Sequence, residues 1–301
     1  MLITTDTARA ANRNFRAIYY SDLARAAAQL TWWRQLFMVI QSDSPEETVS
    51  FLRGTPRMRE WLGDRKIKSM AEVSYKITKK DWEGTISVQR DYILYDRLNL
   101  VRPGIAAFAA SFPLHYVDMS VDLMLGGFTT NGYDNQFFFD VDHDNGAGAL
   151  YSNLTANAFS AAEWLIAKTR PASLRERDSQ RYLGVRYDTI FYAPNAEAAV
   201  DTVFGTPILA GGGTNIYYNN IQPANRIVLP ELGNTAKWFV ADLSKPVKPF
   251  LLLINKGVDF IALDNAHDWT VFNAKEYIFG IDSIDNAGYG LWELMYGSSV
   301  A

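Results

Sequence analysis

Between Pro103 and Ala167 the chain has no lysine or arginine, and it carries Asp118, Asp122, Asp134, Asp140, Asp142, Asp144 and Glu163, a net charge of −7. The stretch from Arg53 to Lys80 is its opposite. Nine basic residues (Arg53, Arg57, Arg59, Arg65, Lys66, Lys68, Lys76, Lys79, Lys80) against Glu60, Asp64 and Glu72 leave +6. Blocks of opposite sign pair within a fold or between copies of it, where complementarity fixes register more than it adds affinity, or they form two separately solvated faces. Any fold for this chain must bring the two blocks together or keep both in water.

The 301 residues suffice for one large domain or two smaller ones, and a formal charge of −4 argues against a protein that wraps nucleic acid with a basic surface. The lack of cysteine excludes disulfides, thiolate nucleophiles and cysteine-ligated metal centres, leaving His, Asp and Glu as metal ligands. No window reaches the unbroken apolar length of a membrane span, since Ser111, Pro113 and His115 interrupt the best run, Ile105 to Val117. Met1 to Asp6 lacks the pattern of a secretory signal, so the product is expected to stay in the compartment where it is made.

Residues 7 to 40 read as helix, with Arg9, Arg13 and Arg16 on one face and an Ala-rich continuation, an N-terminal arm outside any obvious core. Ser42 to Pro45 breaks it, and a short helical stretch is expected to end near Gly63. Val73, Tyr75 and Ile77 then alternate with polar residues, as do Ile86 and Val88. That pattern predicts a two-stranded hairpin with one apolar face and a lysine-rich tip at Lys79-Lys80-Asp81. Such a hairpin is marginal alone and needs a partner surface. Pro103 to Leu125 follows as a long helix with one polar stripe (Ser111, His115, Asp118, Asp122), ended by Gly126-Gly127 and kinked or divided at Pro113. From Phe128 to Arg181 the pattern is loop-rich. Ile190 to Ala193 and a helix through Phe204, capped by Asn195, form a βα unit. Strands are expected at 226–229, 237–240, 250–254, 259–263, 277–281 and 291–296, which makes the chain α+β.

Candidate chemistry is thin. Asp140, Asp142 and Asp144 beside His143 could converge on a hard cation, but Gly146 arrives one place late for a calcium loop and Tyr151 stands where that loop needs Glu. A solvated acidic turn is the plainer reading. Gly211-Gly212-Gly213 lacks the lysine of a phosphate-binding loop and reads as a turn.

The run Tyr75 to Thr85 continuing to Arg90-Asp91, the preceding Arg59-Glu60-Trp61-Leu62-Gly63-Asp64-Arg65, and Tyr133-Asp134 through Phe138-Phe139-Asp140 with Asp142-His143 stand in the order of one known family. So do Lys275-Glu276-Tyr277, Gly280, Asn286-Ala287-Gly288-Tyr289-Gly290-Leu291-Trp292 and Tyr296-Gly297-Ser298. The chain resembles the Mu-like major head subunits of tailed phages and prophages over about 51–143 and 183–298. It departs from them at Asp144, where a proline usually follows the histidine, and through 145–182.

The resemblance implies the tailed-phage major capsid fold of the Hong Kong 97 type. Its parts would be an N-terminal arm (1–45), an extended hairpin loop (64–95), a peripheral domain (46–63, 96–127 and 255–301) whose spine helix is about 103–125, and an axial domain (128–254). It implies a non-enzymatic capsid protein without cofactor. Copies would assemble as hexamers and pentamers into an icosahedral-type head enclosing double-stranded DNA, with no membrane contact. Portal, scaffold or protease, and decoration proteins would be further partners, and the virion would be the destination of a product made in the host cytoplasm. The expected contacts between subunits set Lys76, Lys79, Lys80 and Trp82 against Asp118, Asp122 or the Asp140 cluster. The alternatives are an encapsulin-like compartment and a metal-assisted hydrolase built on Asp140, Asp142, His143 and Asp144.

Overall fold

A computed structural model of the chain describes residues 5–51, 60, 61, 64, 73–94, 98–175, 181–209, 211–263 and 268–301. The first half holds α1 (Thr5–Gln29), α2 (Trp33–Leu36), β1 (Phe37–Gln41), β2 (Glu46–Phe51), β3 (Val73–Thr78), β4 (Lys80–Gln89), α3 (Arg90–Leu94) and α4 (Leu98–Gly126). Then come β5 (His143–Asp144), β6 (Leu150–Tyr151), β7 (Leu154–Thr155), α5 (Ala161–Thr169), β8 (Thr189–Tyr192), α6 (Glu197–Phe204) and β9 (Arg226–Val228). The chain closes with β10 (Trp238–Ala241), β11 (Phe250–Leu263), α7 (Trp269–Ala274), β12 (Glu276–Tyr289) and β13 (Met295–Ser298).

A four-stranded sheet in the order β1-β11-β12-β4 carries the first layer. Along β12 the period of two is explicit: Tyr277, Phe279, Ile281, Ser283 and Asp285 are buried, while Glu276, Ile278, Asp282 and Ile284 between them are half exposed. The buried side meets α4 through Ile105 and Ala109, and meets α1 through Phe15 and Tyr19. Phe15 stacks on Phe279 at 3.8 Å and Tyr19 lies 5.0 Å from Phe260, so α1 belongs to a core of its own chain. Burying two aromatic side chains stabilises that docking by about 2–3 kcal/mol each. The expectation of a helix to residue 40 outside the core is corrected accordingly. The helix stops at Gln29, and Phe37 to Gln41 instead pair in parallel with Phe250 to Ile254. Beta-branched and aromatic residues gain more in that ladder, where Phe37 is buried, than in a surface helix.

The predicted hairpin is also corrected. Strands β3 and β4 do not pair with each other. β3 pairs antiparallel with β2, from Glu46 opposite Thr78 to Phe51 opposite Val73, and β4 pairs with β12, from Lys80 opposite Asp285 to Gln89 opposite Glu276. Lys79-Lys80-Asp81 is therefore the crossing between two sheets and not a tip. The true ribbon is β2–β3, with Glu46–Phe51 a strand; the helix expected to end near Gly63 falls on residues 52–59, 62 and 63, which, with 65–72 and so with Arg53, Arg57, Arg59, Arg65, Lys66 and Lys68, lie outside the described residues.

Helix α4 runs through both Pro103 and Pro113 without division. Pro113 is buried, and the helix's packing on the sheet outweighs one lost backbone hydrogen bond. Its stripe comes out as expected, with Ser111, Asp118 and Asp122 exposed and His115 half-buried.

The second layer is a five-stranded sheet, β7-β13-β10-β8-β9. β8, α6 and β9 form the expected βα unit with a parallel return, though α6 starts after Ala196, and Asn195 donates to the Asn234 side chain at 2.8 Å. The strands expected at 250–254 and 259–263 are one, since the ladder to β12 continues across register shifts at Ile254/Lys256 and Lys256/Asp259. The strand expected at 291–296 begins only at Met295, after a 3-10 turn over Trp292–Leu294. A single cluster of buried side chains joins this layer to the C-terminal half of α4 and to β11.

Candidate assembly surface

The six residues expected at subunit contacts sit on the ribbon root, on β4 and on α4, and the described chain does not bring the lysines onto the aspartates. Lys76 is exposed and pairs with Glu46 across the ribbon at 2.5 Å. The backbone N–H of Lys79 donates to Pro45 at 3.0 Å, which pins the crossing. Lys80 lies exposed, its Nζ 6.0 Å from the Trp82 ring. Trp82 is tied to its own chain: its ring is 4.5 Å from that of His115, and its indole N–H donates to the Asp285 carbonyl at 3.0 Å. It still presents 37% of its surface to solvent.

Asp285 is the centre of this region, and the sequence reading missed it. Its carboxylate is completely buried, 3.0 Å from His115 Nε2 and 3.2 Å from the Tyr116 hydroxyl, which donates to it. The signal was available: in a strand with inward odd-numbered residues, Asp285 stands at an inward position, where a polar group needs partners. Two consecutive α4 residues and one β4 aromatic thus converge on one β12 residue and lock helix to sheet. Asp285→Ala is expected to lower stability by about 2 kcal/mol, because it strands the Tyr116 donor and leaves a cavity. Urea denaturation of Asp285→Ala beside His115→Ala checks this, and equal midpoints for Asp285→Ala and the unmodified chain would refute the lock.

Asp118 and Asp122 stand on the exposed side of α4, one turn apart. Partial burial, Glu231 and Asp122 push the Asp118 carboxyl up from its ordinary range. Glu231, from the 3-10 turn over Pro230–Leu232, carried no sequence signal because that turn comes from a distant part of the chain.

The other candidate dissolves into local structure. Asp140 accepts from the Val141 and Phe137 amides, and Asp144 from those of Gly146 and Gly148. His143 is buried, 2.8 Å from the Asp134 carboxylate and stacked on Trp292 at 3.9 Å. Among the described residues no three His, Asp or Glu side chains are grouped to hold a metal ion. No helix among them is long and apolar enough to cross a membrane.

The C-terminal motif has a steric reading. A Cβ at Gly288 would meet Tyr75 at 2.6 Å and Ile77 at 3.0 Å, so the apolar side of the ribbon is seated directly on that glycine. A Cβ at Gly297 would meet Phe239 at 2.9 Å and Phe139 at 3.0 Å, and one at Gly127 would meet Phe139 at 2.8 Å. Small residues let strand, ribbon and aromatic core approach.

Comparison with known proteins finds the same segments. The family model for the Mu-like prophage major head subunit gpT matches residues 9–175 and 222–301. The Mu-like prophage FluMu major head subunit of Haemophilus influenzae is 22% identical over 296 residues, which cover 98% of this chain and 73% of that protein. The major capsid protein of Escherichia phage Mu is 22% identical over 294 residues, covering 98% of this chain and 74% of that one. Among solved structures, the procapsid of bacteriophage JBD30 superposes with a TM-score of 0.62 at 25% identity, covering 99% of this chain and 77% of that one. With the spine-like α4, the rooted ribbon and the glycine-rich ending all in family order, the chain belongs to the Mu-like prophage major head subunit family, with the tailed-phage capsid fold, and is a major capsid protein of the virion shell.

Proposed function

We propose that copies of this chain close head to tail into hexamers and pentamers, each lending its β2–β3 ribbon to the neighbour, and so build a head that encloses double-stranded DNA. The observation that carries this is the ribbon itself. Its root is packed on Gly288, while the ends of its strands, Phe51 and Val73, are joined through a net basic segment. A contact that uses different surfaces on the two partners generates rings when its rotation closes. In this reading Lys76, Lys79, Lys80 and Trp82 border the neighbour's Asp118 and Asp122, with Glu231 completing the acidic side. The assignments follow: α1 as the N-terminal arm, the ribbon as the extended loop, the four-stranded sheet with α4 as the peripheral domain, and the five-stranded sheet as the axial domain.

The chain works as a wall and not as an enzyme. The Asp140 and Asp144 carboxylates are held by neighbouring backbone amides, and the net negative charge suits enclosure of DNA without sequence-specific grip. Portal, scaffold or protease, and decoration proteins are the partners such a wall requires. Reversing charge with Lys79→Glu and Lys80→Glu is expected to reduce particle yield and make assembly more sensitive to salt. Negative-stain imaging and sedimentation of the purified protein read this out. Particles indistinguishable from the unmodified ones would remove the lysine–aspartate contact, and a chain that sediments only as a compact monomer would remove ring assembly.

A further inference from the structure

Between α5 and the stretch of chain that leads into β8 lies a cavity of about 660 Å³, well within the size of small-molecule sites. Helix α5 gives its wall Trp164 and Lys168, one turn apart and so on the same side of the helix. The stretch before β8 gives Tyr182, Arg186 and Tyr187, and Asn220 closes the wall from the loop after α6. Each part is tied down. Ser160 caps α5 by accepting from the Glu163 amide, and the Arg186 amide donates to the Asp242 carboxylate at 2.8 Å. Lys168 donates to the Asn220 side-chain oxygen at 2.7 Å, and the Asn220 amide donates to the Ile216 carbonyl at 3.1 Å. A wall fixed by such bonds is preorganised for a ligand.

Its chemistry is that of a donor surface. Lys168 and Arg186 bring two positive charges, and among the described residues no carboxylate stands on the wall to answer them. The Lys168 ammonium spends one of its three protons on Asn220. Trp164 is 2% exposed, and its indole N–H is buried with no hydrogen-bond partner among the described residues. Nearly all buried donors in folded chains find an acceptor, so this N–H marks a place where an acceptor belongs. Two cations and a neutral donor match a phosphate monoester, which carries close to two charges and three acceptor oxygens, better than a single carboxylate. The remaining wall is aromatic. Trp164, Tyr182 and Tyr187 offer ring faces, and the Arg175 guanidinium lies over Tyr182 at 4.6 Å. Aromatic faces of this kind take planar bases by stacking.

We propose that this cavity is a nucleotide site, with the phosphate held by Lys168, Arg186 and the Trp164 indole N–H, and the base against the aromatic part of the wall. A free mononucleotide and the 5′-terminal nucleotide of a DNA strand present the same chemistry. The site lies within one chain, so it stands apart from how copies assemble.

Isothermal titration calorimetry of the full-length chain with deoxyadenosine monophosphate is the test. The expected result is a dissociation constant below about 1 mM. Deoxyadenosine and inorganic phosphate, each offering one half of the contacts, should bind at least about tenfold more weakly. Lys168→Ala and Arg186→Ala should each weaken the mononucleotide about tenfold, and Trp164→Phe, which keeps a ring and loses the donor, about fivefold. Lys168 and Arg186 are exposed, so their variants should keep the unmodified urea midpoint and carry the test even where Trp164→Phe does not fold. Competition by a 5′-phosphorylated oligonucleotide, but not by its 5′-hydroxyl counterpart, would identify a strand end as the source. Competition by neither would identify the free nucleotide, and both results support the site. Equal competition by the two oligonucleotides would show backbone binding and overturn it. So would absence of mononucleotide binding up to about 10 mM, equal affinity for inorganic phosphate, or an affinity unmoved by Lys168→Ala and Arg186→Ala.

Discussion

Gly290→Ala is expected to cost the fold about 3 kcal/mol or more and to leave little soluble protein. The reason is backbone against backbone. A Cβ at this position would fall inside the contact shell of the Lys248 carbonyl oxygen and only 3.0 Å from that of Pro249. Neither carbonyl can retreat alone, because the Gly290 amide donates to Pro249 at 2.7 Å and the next pair, Tyr289 opposite Phe250, opens the long β11–β12 ladder. Moving one strand end would drag Phe250 and Tyr289 away from Phe138, whose ring lies 5.5 Å and 4.8 Å from theirs.

Gly288→Ala differs in kind. Its obstacle is the Tyr75 and Ile77 side chains, so the added methyl should lift the ribbon root at a smaller cost in stability and a larger one in assembly. Gly257→Ala, with nothing within 4 Å of the added carbon, serves as the neutral control. Urea midpoints and particle yield for the three variants separate these effects. A Gly290→Ala chain with the unmodified midpoint would show that the two strand ends are far softer than their hydrogen bonding indicates.

What the sequence made legible was local and periodic. The polar stripe of α4 could be read because a helix repeats every few residues and Ser111, His115, Asp118 and Asp122 obey that spacing. The inward and outward sides of β3 and β4 could be read for the same reason. Their partners could not, because alternation says that a strand is half-buried and not against which strand. A one-residue joint at Lys79 looked like the turn of a hairpin, and the real partners, β2 and β12, lie before and far after it. The same limit hid the strand at Phe37–Gln41, where an apolar run after a helix fits either structure until β11 supplies a ladder. The family resemblance supplied what periodicity lacked, the identity of the assembly. Of the proposed contact residues, charge blocks pointed to Asp118 and Asp122, whereas Glu231 comes beside them only through the tertiary fold.

The same burial that makes this core dense in tyrosine should make it fail sharply in alkali. Burial, with Tyr20 beside it, pushes the Tyr19 phenol up to about 12. Burial also raises Tyr116, whose hydroxyl in addition faces the Asp285 carboxylate, and it raises Tyr151, Tyr187 and Tyr289. A phenol with a raised native pKa contributes its full share of stability below the unfolded value near 10, and loses it as pH climbs from there toward the native pKa. Each contributes a loss of about 1.4 kcal/mol per pH unit in that window. Several such groups acting together therefore remove an amount comparable to the whole stability of an ordinary domain. The chain is expected to hold its structure to about pH 10 and to unfold cooperatively between about pH 11 and 12. In that transition the loss of circular dichroism and the rise of phenolate absorbance from the buried tyrosines should coincide. If all phenolate absorbance appears by pH 10.5 while the circular dichroism stays native, the tyrosines are not held in the interior that this fold requires.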